Sequence, residues 1–203
     1  MKEFNLKANP RTDLGKKASK ALRVSNEIPA VLYGEGEVQH LVITQEAVRK
    51  LVYSPEIFLI NLDVNGQSCK CIMKDIQFHP VNDRILHMDL LRVSENKPVV
   101  MEVPVVLKGH SVGVKAGGKL QLDMRRLRVK AVYSSIPENL VIDVTKLGLG
   151  KTIQVGELAF EGLELMNAKN AVVCAVKLTR AAQGAARAAM MEATDEEEEA
   201  TEE

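Results

Sequence analysis

Two separated stretches hold most of the residues whose types and spacing could do chemistry. Arg11-Thr-Asp-Leu-Gly-Lys-Lys-Ala-Ser-Lys-Ala-Leu-Arg23 offers Arg11, Lys16, Lys20 and Arg23, and Pro29-Ala-Val-Leu-Tyr-Gly34 follows with Tyr33. Lys74-Asp-Ile-Gln-Phe-His-Pro80 and His87-Met-Asp89 add Lys74, Gln77, His87 and Asp89. The first stretch supplies cations and a phenol on a backbone bent by Gly and Pro. The second supplies amide, imidazole and carboxylate groups on predicted strands. Together they suit a structured RNA, with cations for phosphate and side-chain donors and acceptors for exposed base edges. Catalysis fits less well, because neither stretch contains a nucleophile with a partnered base.

His87 and Asp89 stand two apart and so share a strand face. As metal ligands they would need His40, His79 or His110 as a third, and no local spacing supports one. The bland reading is a pair of solvated strand residues. The functional reading is edge recognition: aspartate accepts from a base amino group, and histidine donates or accepts. A carboxylate facing RNA is costly unless hydrogen-bonded, so Asp89 does not serve general phosphate affinity. Gly148-Leu-Gly-Lys-Thr152 imitates the end of a phosphate-binding loop. Thr145 stands where the leading Gly should be, so a β-turn is expected there. Gly15-Lys16 fails the same pattern, with Lys17 in place of Ser or Thr and Pro10 in place of Gly. Cys69, Cys71 and Cys174 make an odd set without metal-site spacing, and reduced buried thiols are expected. Nothing in the sequence asks for a metal, a cofactor or a small-molecule substrate.

The formal net charge is +0 over 203 residues, but it is unevenly placed. Residues 181–203 carry one base, Arg187, against eight acids, a net −7, and residues 1–180 carry the balancing +7. Residues 1–23 alone carry seven bases against Glu3 and Asp13. A front-loaded basic body points to an anionic partner. Aromatic content is 3% with no Trp, too few rings for a protein that stacks successive bases of a single strand. A folded or non-canonical RNA fits better. No apolar run approaches the ~20 residues of a membrane span, and the N-terminus lacks the apolar region of a secretory signal. Neither membrane attachment nor export is expected.

These residues must be positioned by a strand-rich scaffold. Strands are predicted over 2–8, 30–33, 40–43, 57–64, 68–78 and 85–93. A helix is expected over 16–25 with Ala18, Ala21 and Leu22 inward and Lys17, Lys20 and Arg23 as an outward ridge. Thr44 should cap a second helix reaching about Val52. Phe58, Ile60, Leu62 and Val64 alternate, and Asn65-Gly66 is the strongest hairpin signal in the chain. The polar break Ser94-Glu-Asn-Lys-Pro98 is the expected boundary, giving a domain over 1–93 and another over 94–180. In the second, strands are predicted over 99–107, 125–133, 140–144 and 171–178, with a glycine-rich loop over 110–119. Residues 181–203 turn alanine-rich, then acidic, and a disordered tail is expected. The fold class is therefore mainly β, two β domains and a tail.

At this point a resemblance enters. Arg11…Gly15-Lys16…Ala18-Ser19…Leu22-Arg23, then Ile28-Pro-Ala-Val-Leu-Tyr-Gly34, Asp75…Gln77…Pro80 and His87-x-Asp89 resemble the bacterial large-subunit ribosomal protein family L-twenty-five, in its longer general-stress form. Lys17 and Lys20 depart from the usual Gly and Arg, and Leu90 from the usual Phe. Lys20 keeps its charge without the bidentate geometry of Arg. The resemblance implies a non-enzymatic ribosomal protein of the cytoplasm, with a six-stranded β-barrel bound to loop E of 5S ribosomal RNA. It implies a second β domain among neighbouring large-subunit proteins or rRNA. Arg11, Lys16, Lys20 and Arg23 would hold phosphates; Tyr33, Lys74, Gln77, His87 and Asp89 would face the groove. Two other readings stand beside it. Such barrels also resemble the anticodon-binding barrel of glutaminyl-tRNA synthetase, which would make this a tRNA-binding module. A hydrolase using His87 and Asp89 is the third.

Overall fold

The computed structural model describes residues 1–179. The expected tail over 181–203 lies outside the described residues. The chain divides into two compact units: Met1–Pro104 with Arg128–Glu138 and Gly162–Glu164, and Val105–Leu127 with Asn139–Glu161 and the chain from Leu165.

The first unit is built on a closed barrel. Its elements are β1 (Lys2–Pro10), α1 (Lys16–Val24), β2 (Glu27–Tyr33), β3 (Gln39–Thr44), α2 (Gln45–Val52), β4 (Phe58–Val64), β5 (Gln67–Phe78) and β6 (Ile85–Arg92). The strand order is β1-β3-β2-β6-β5-β4, and β1 closes the ring by pairing in parallel with β4 from Lys2↔Phe58 to Ala8↔Val64. Alternation decides which side chains go inside. Leu6, Leu32, Leu41, Ile60, Leu62, Met88 and Leu90 are all at most 2% exposed and fill the interior, so aliphatic side chains build the core as the scarcity of aromatics requires. Val48 and Leu51 of α2 belong to the same core and plug one end. Thr44 stands at the N-cap of α2, but its side chain makes no capping hydrogen bond.

The β4–β5 hairpin turns on Asn65 and Gly66 with φ of 51° and 85°, the doubly left-handed turn that this dipeptide favours. Val64 pairs with Gln67 across it, and the Gly66 amide donates to Asp63 Oδ1 at 2.9 Å. Cys71 is buried, and burial pushes its thiol up to about 12. Cys69, Cys71 and Cys174 are all free thiols.

Further along the chain come β7 (Val99–Lys108), α3 (Val112–Lys115), β8 (Lys119–Leu122), β9 (Arg126–Ala131), β10 (Leu140–Asp143), β11 (Thr152–Gln154), β12 (Glu164–Leu165) and β13 (Val172–Lys177). They form a four-stranded sheet, β10-β7-β9-β12, and a three-stranded sheet, β11-β13-β8. The glycine-rich loop is explained by packing. A Cβ on Gly113 would lie 2.6 Å from the Gly148 carbonyl carbon, so the phosphate-loop mimic and the glycine-rich loop are two backbones in close contact.

Candidate nucleic-acid interface

The barrel order brings the two chemistry-bearing stretches together, because β2 lies directly beside β6. Ala30, Leu32, Leu41, Met88 and Leu90 point into the core, so their neighbours Val31, Tyr33, His40, His87 and Asp89 face outward. A lateral row runs from Arg11, just past the end of β1, across four strands. The Arg11 amide donates to the His40 carbonyl at 2.9 Å, His40 pairs with Val31, Val31 with Asp89, and Asp89 with Asp75. In the adjoining row His87 pairs with Gln77. Tyr33 lies two residues along β2 from Val31, on the same face.

Two bulges aim these side chains. Between Met73↔Leu90 and Asp75↔Asp89, β5 has one residue more than β6, and that residue is Lys74. Without the extra residue Asp75 would fall into the inward phase; with it, Asp75 and Gln77 face outward beside Asp89 and His87. Between Gln77↔His87 and Phe78↔Ile85 the extra residue is Leu86 on β6. Its carbonyl accepts Nε of Arg23 at 3.0 Å. The bulge that resets the register therefore also receives the end of α1.

α1 packs against β2, with Ala18, Ser19, Leu22 and Arg23 half-buried and Lys16, Lys17, Lys20, Ala21 and Val24 exposed. The ridge thus differs from the helical-wheel expectation: Ala21 faces out, and Arg23 turns toward the sheet to reach Leu86. Arg11 braces the other end through Nη1 and Ser19 Oγ at 3.3 Å, while its Nε is buried with no partner among the described residues. Lys16 and Lys17 stand in the first turn of α1, which holds no acid. Cations at the positive end of the helix dipole are unfavourable by about 0.3–1 kcal/mol each unless an anion is near.

The centre of the face has the opposite sign. Asp75 and Asp89 are directly opposed across the strands, which destabilises a ladder. His87 Nδ1 lies 2.7 Å from Asp89 Oδ1. That contact requires a proton on Nδ1 and leaves Nε2 for another partner. The Tyr33 phenol is held above its ordinary range, first by burial and then by the charges of Asp89 and Asp75. Carboxylates repel phosphate but accept from amino groups, so a centre of Asp75, Gln77, His87, Asp89 and Tyr33 framed by cations is suited to base edges within and backbone around.

Of the nine residues singled out from sequence, Arg11, Arg23, Tyr33, Gln77, His87 and Asp89 lie on or brace this face. Lys16 and Lys20 are exposed on α1, which packs on β2. Lys74 sits at the bulge with its ammonium donating to the Val100 carbonyl at 3.1 Å. Asp75 and His40 were not singled out as site residues. The Asp75 position depends on the bulge. His40, whose Nδ1 is buried and unpartnered among the described residues, depends on β3 lying between β1 and β2. His79 serves the β5–β6 loop: its Nδ1 accepts from the amides of Val81 and Asn82 at 3.2 and 3.3 Å.

A closed six-stranded barrel with a short cationic helix across its outer face, followed by a second β unit, defines a class that comparison makes specific. Residues 6–90 match the Ribosomal L25p family, and residues 98–180 match the C-terminal domain of ribosomal protein TL5. A Porphyromonas gingivalis protein named large ribosomal subunit protein bL25 is 68% identical over 188 residues, covering 92% of this chain and 98% of its own. Proteins of the same name from Parabacteroides distasonis and Phocaeicola vulgatus are 63% and 56% identical, covering 91% and 93% of this chain and 98% and 99% of theirs. The chain belongs to the ribosomal L25p family. It is a structural protein of that family and not an enzyme.

Proposed function

We propose that the outer face built by α1, β2, β5 and β6 binds 5S ribosomal RNA at its loop E region. The chain is a constituent of the large ribosomal subunit in the bacterial cytoplasm, so ribosomal RNA and other subunit proteins are its surroundings. The observation that carries the finer reading is the register that opposes Asp75 to Asp89 and Gln77 to His87 on strands next to β2, on which the cationic helix packs. Loop E is built of non-canonical pairs, whose reshaped grooves expose edges that regular A-form RNA hides. Arg11, Lys16, Lys20 and Arg23 hold phosphates along its rim. Tyr33, Gln77, His87 and Asp89 meet base edges, with Lys74 at their margin. Residues 1–93 form the RNA-binding domain and residues 94–180 a separate one.

The test is the identity of the bound RNA. The full chain is purified from cells at low salt and the retained RNA is sequenced, then titrated with 5S ribosomal RNA and with bulk tRNA. Enrichment and tight binding of 5S RNA are expected. Preference for tRNA would replace this reading with that of a tRNA-binding barrel.

A further inference from the structure

The second unit is the more basic of the two. Its described residues hold nine bases against four acids, a net +5, whereas the first unit holds sixteen against fifteen. Two of the nine have an acid at hand: Asp143 is held below the ordinary carboxylate range first by hydrogen bonds from Thr145, then by Lys108 and Lys146. Lys119 and Lys177 have none. They are direct partners in the antiparallel β8–β13 ladder, and both are exposed. Neither ammonium makes a hydrogen bond or ion pair among the described residues. Lys151 runs alongside, its carbonyl accepting the Val176 amide at 3.0 Å, and Lys115 ends α3, which packs on β8. Like charges directly opposed weaken a ladder, and each ordered neighbour of the same sign adds to the repulsion.

We propose that the Lys119–Lys177 pair is a seat for ribosomal RNA phosphates and gives the second unit its own RNA contact. Paired strand positions hold their Cα atoms about 5 Å apart, and four-carbon stems let the two ammoniums splay onto neighbouring phosphates. Lysine is a compact point charge and not a planar fork, which suits attachment to the backbone without reading sequence. The proposal rests on membership of the ribosomal particle and not on which RNA the first unit holds.

The experiment compares the full chain with two variants, Lys119→Gln/Lys177→Gln and Lys177→Glu. The second sets opposite charges across the ladder, so it folds at least as well as the parent, and thermal melts check this. Each protein is titrated with naked 5S RNA and, separately, washed with rising KCl from large-subunit particles reconstituted around it. Both variants are expected to leave the particle at lower salt. The log–log salt slope of particle binding should fall by roughly one for each phosphate no longer neutralised, while 5S affinity holds within about twofold. A matching weakening on naked 5S RNA would place the phosphates on that RNA, and the seat stands. Unchanged release and unchanged slopes in both assays overturn the proposal. So does a second result: deleting residues 192–203 tightens RNA binding of the parent but not of the variants, and the variants alone bind no weaker. The pair would then serve the chain's own acidic stretch. Failure of every form on naked 5S RNA would instead count against the first unit's assignment and leave the particle assay readable.

Discussion

Asp89→Ala separates recognition from charge. The Asp89 and His87 side chains are 34% and 23% exposed, so their 2.7 Å contact is partly screened and contributes about 0.2–1 kcal/mol to folding. Removing Asp89 also ends its opposition to Asp75, which returns a similar 0.2–1 kcal/mol. The two nearly cancel, so folding stability should stay within about 0.5 kcal/mol of the parent and the melting midpoint within about 1–2 °C. RNA binding should change far more. A purely electrostatic surface gains affinity when a negative charge is removed. A carboxylate that accepts from base amino groups loses about 1–3 kcal/mol at the specific site, or roughly 5–150-fold. The assay is fluorescence anisotropy with 5S RNA and a scrambled hairpin at two salt concentrations. Weaker binding of 5S RNA is expected, with level or tighter binding to the hairpin, and His87→Ala should share the specific effect. Tyr33 is an internal check on the geometry. Without Asp89 its phenol should ionise at lower pH than in the parent, yet still above the ordinary range, because burial is the larger cause and remains. Tighter binding of 5S RNA by Asp89→Ala would refute the reasoning.

Three further predictions concern the scaffold. Arg23→Ala should weaken binding to any RNA of similar shape and lower the salt slope by roughly one; it should also cost about 1 kcal/mol in urea unfolding, since the Leu86 carbonyl is left without its donor. An unchanged salt slope would make Arg23 a brace only. Cys71 has a thiol raised from 9.0 to about 12, so the folded state holds its proton longer than the unfolded chain. That stability is whole below pH 9 and is lost as pH rises toward 12, by at most about 4 kcal/mol. Urea midpoints measured from pH 8 to 11 should fall, and should fall less in Cys71→Val; parallel curves would contradict the burial argument. A fragment of residues 1–93 should fold and keep most of the 5S affinity, because the barrel core closes between Leu6 and Leu90. A fragment that is folded by circular dichroism but does not bind would move part of the interface beyond residue 93.

What could be read from the sequence follows the range of the interactions. The barrel strands were legible where alternation and a local turn suffice, as in residues 57–64 and Asn65-Gly66. β8 and β12 have four and two residues, too short for any period to register, and they went unread. The same limit governs the site. His87 and Asp89 share a strand, so their common face followed from spacing alone. The opposition of Asp75 to Asp89 follows from a bulge at Lys74, and a bulge is a property of two strands. The α1 ridge was misjudged at Ala21 and Arg23 because the carbonyl that draws Arg23 inward belongs to residue 86, sixty-three positions away. Chemistry pointed to RNA, and the choice of 5S RNA came from resemblance, since no residue type names its nucleic acid.

The parallel pairings carry a consequence for the order of events during synthesis. β1 must wait for β4, fifty-six residues downstream at Lys2↔Phe58, and β2 for β6, fifty-eight downstream at Ala30↔Met88. Such distant pairings are entropically late, because the intervening chain must close before they reward it. The cationic segment leaves the ribosome first and can attract RNA at once. The strand bearing His87 and Asp89 arrives last and completes the ring in the same step. If the proposed roles hold, attraction is available to the nascent chain, but discrimination begins only when the barrel is shut. On the proposed reading, an immature chain would hold RNA loosely and without choice, and commitment to one RNA would coincide with the end of folding.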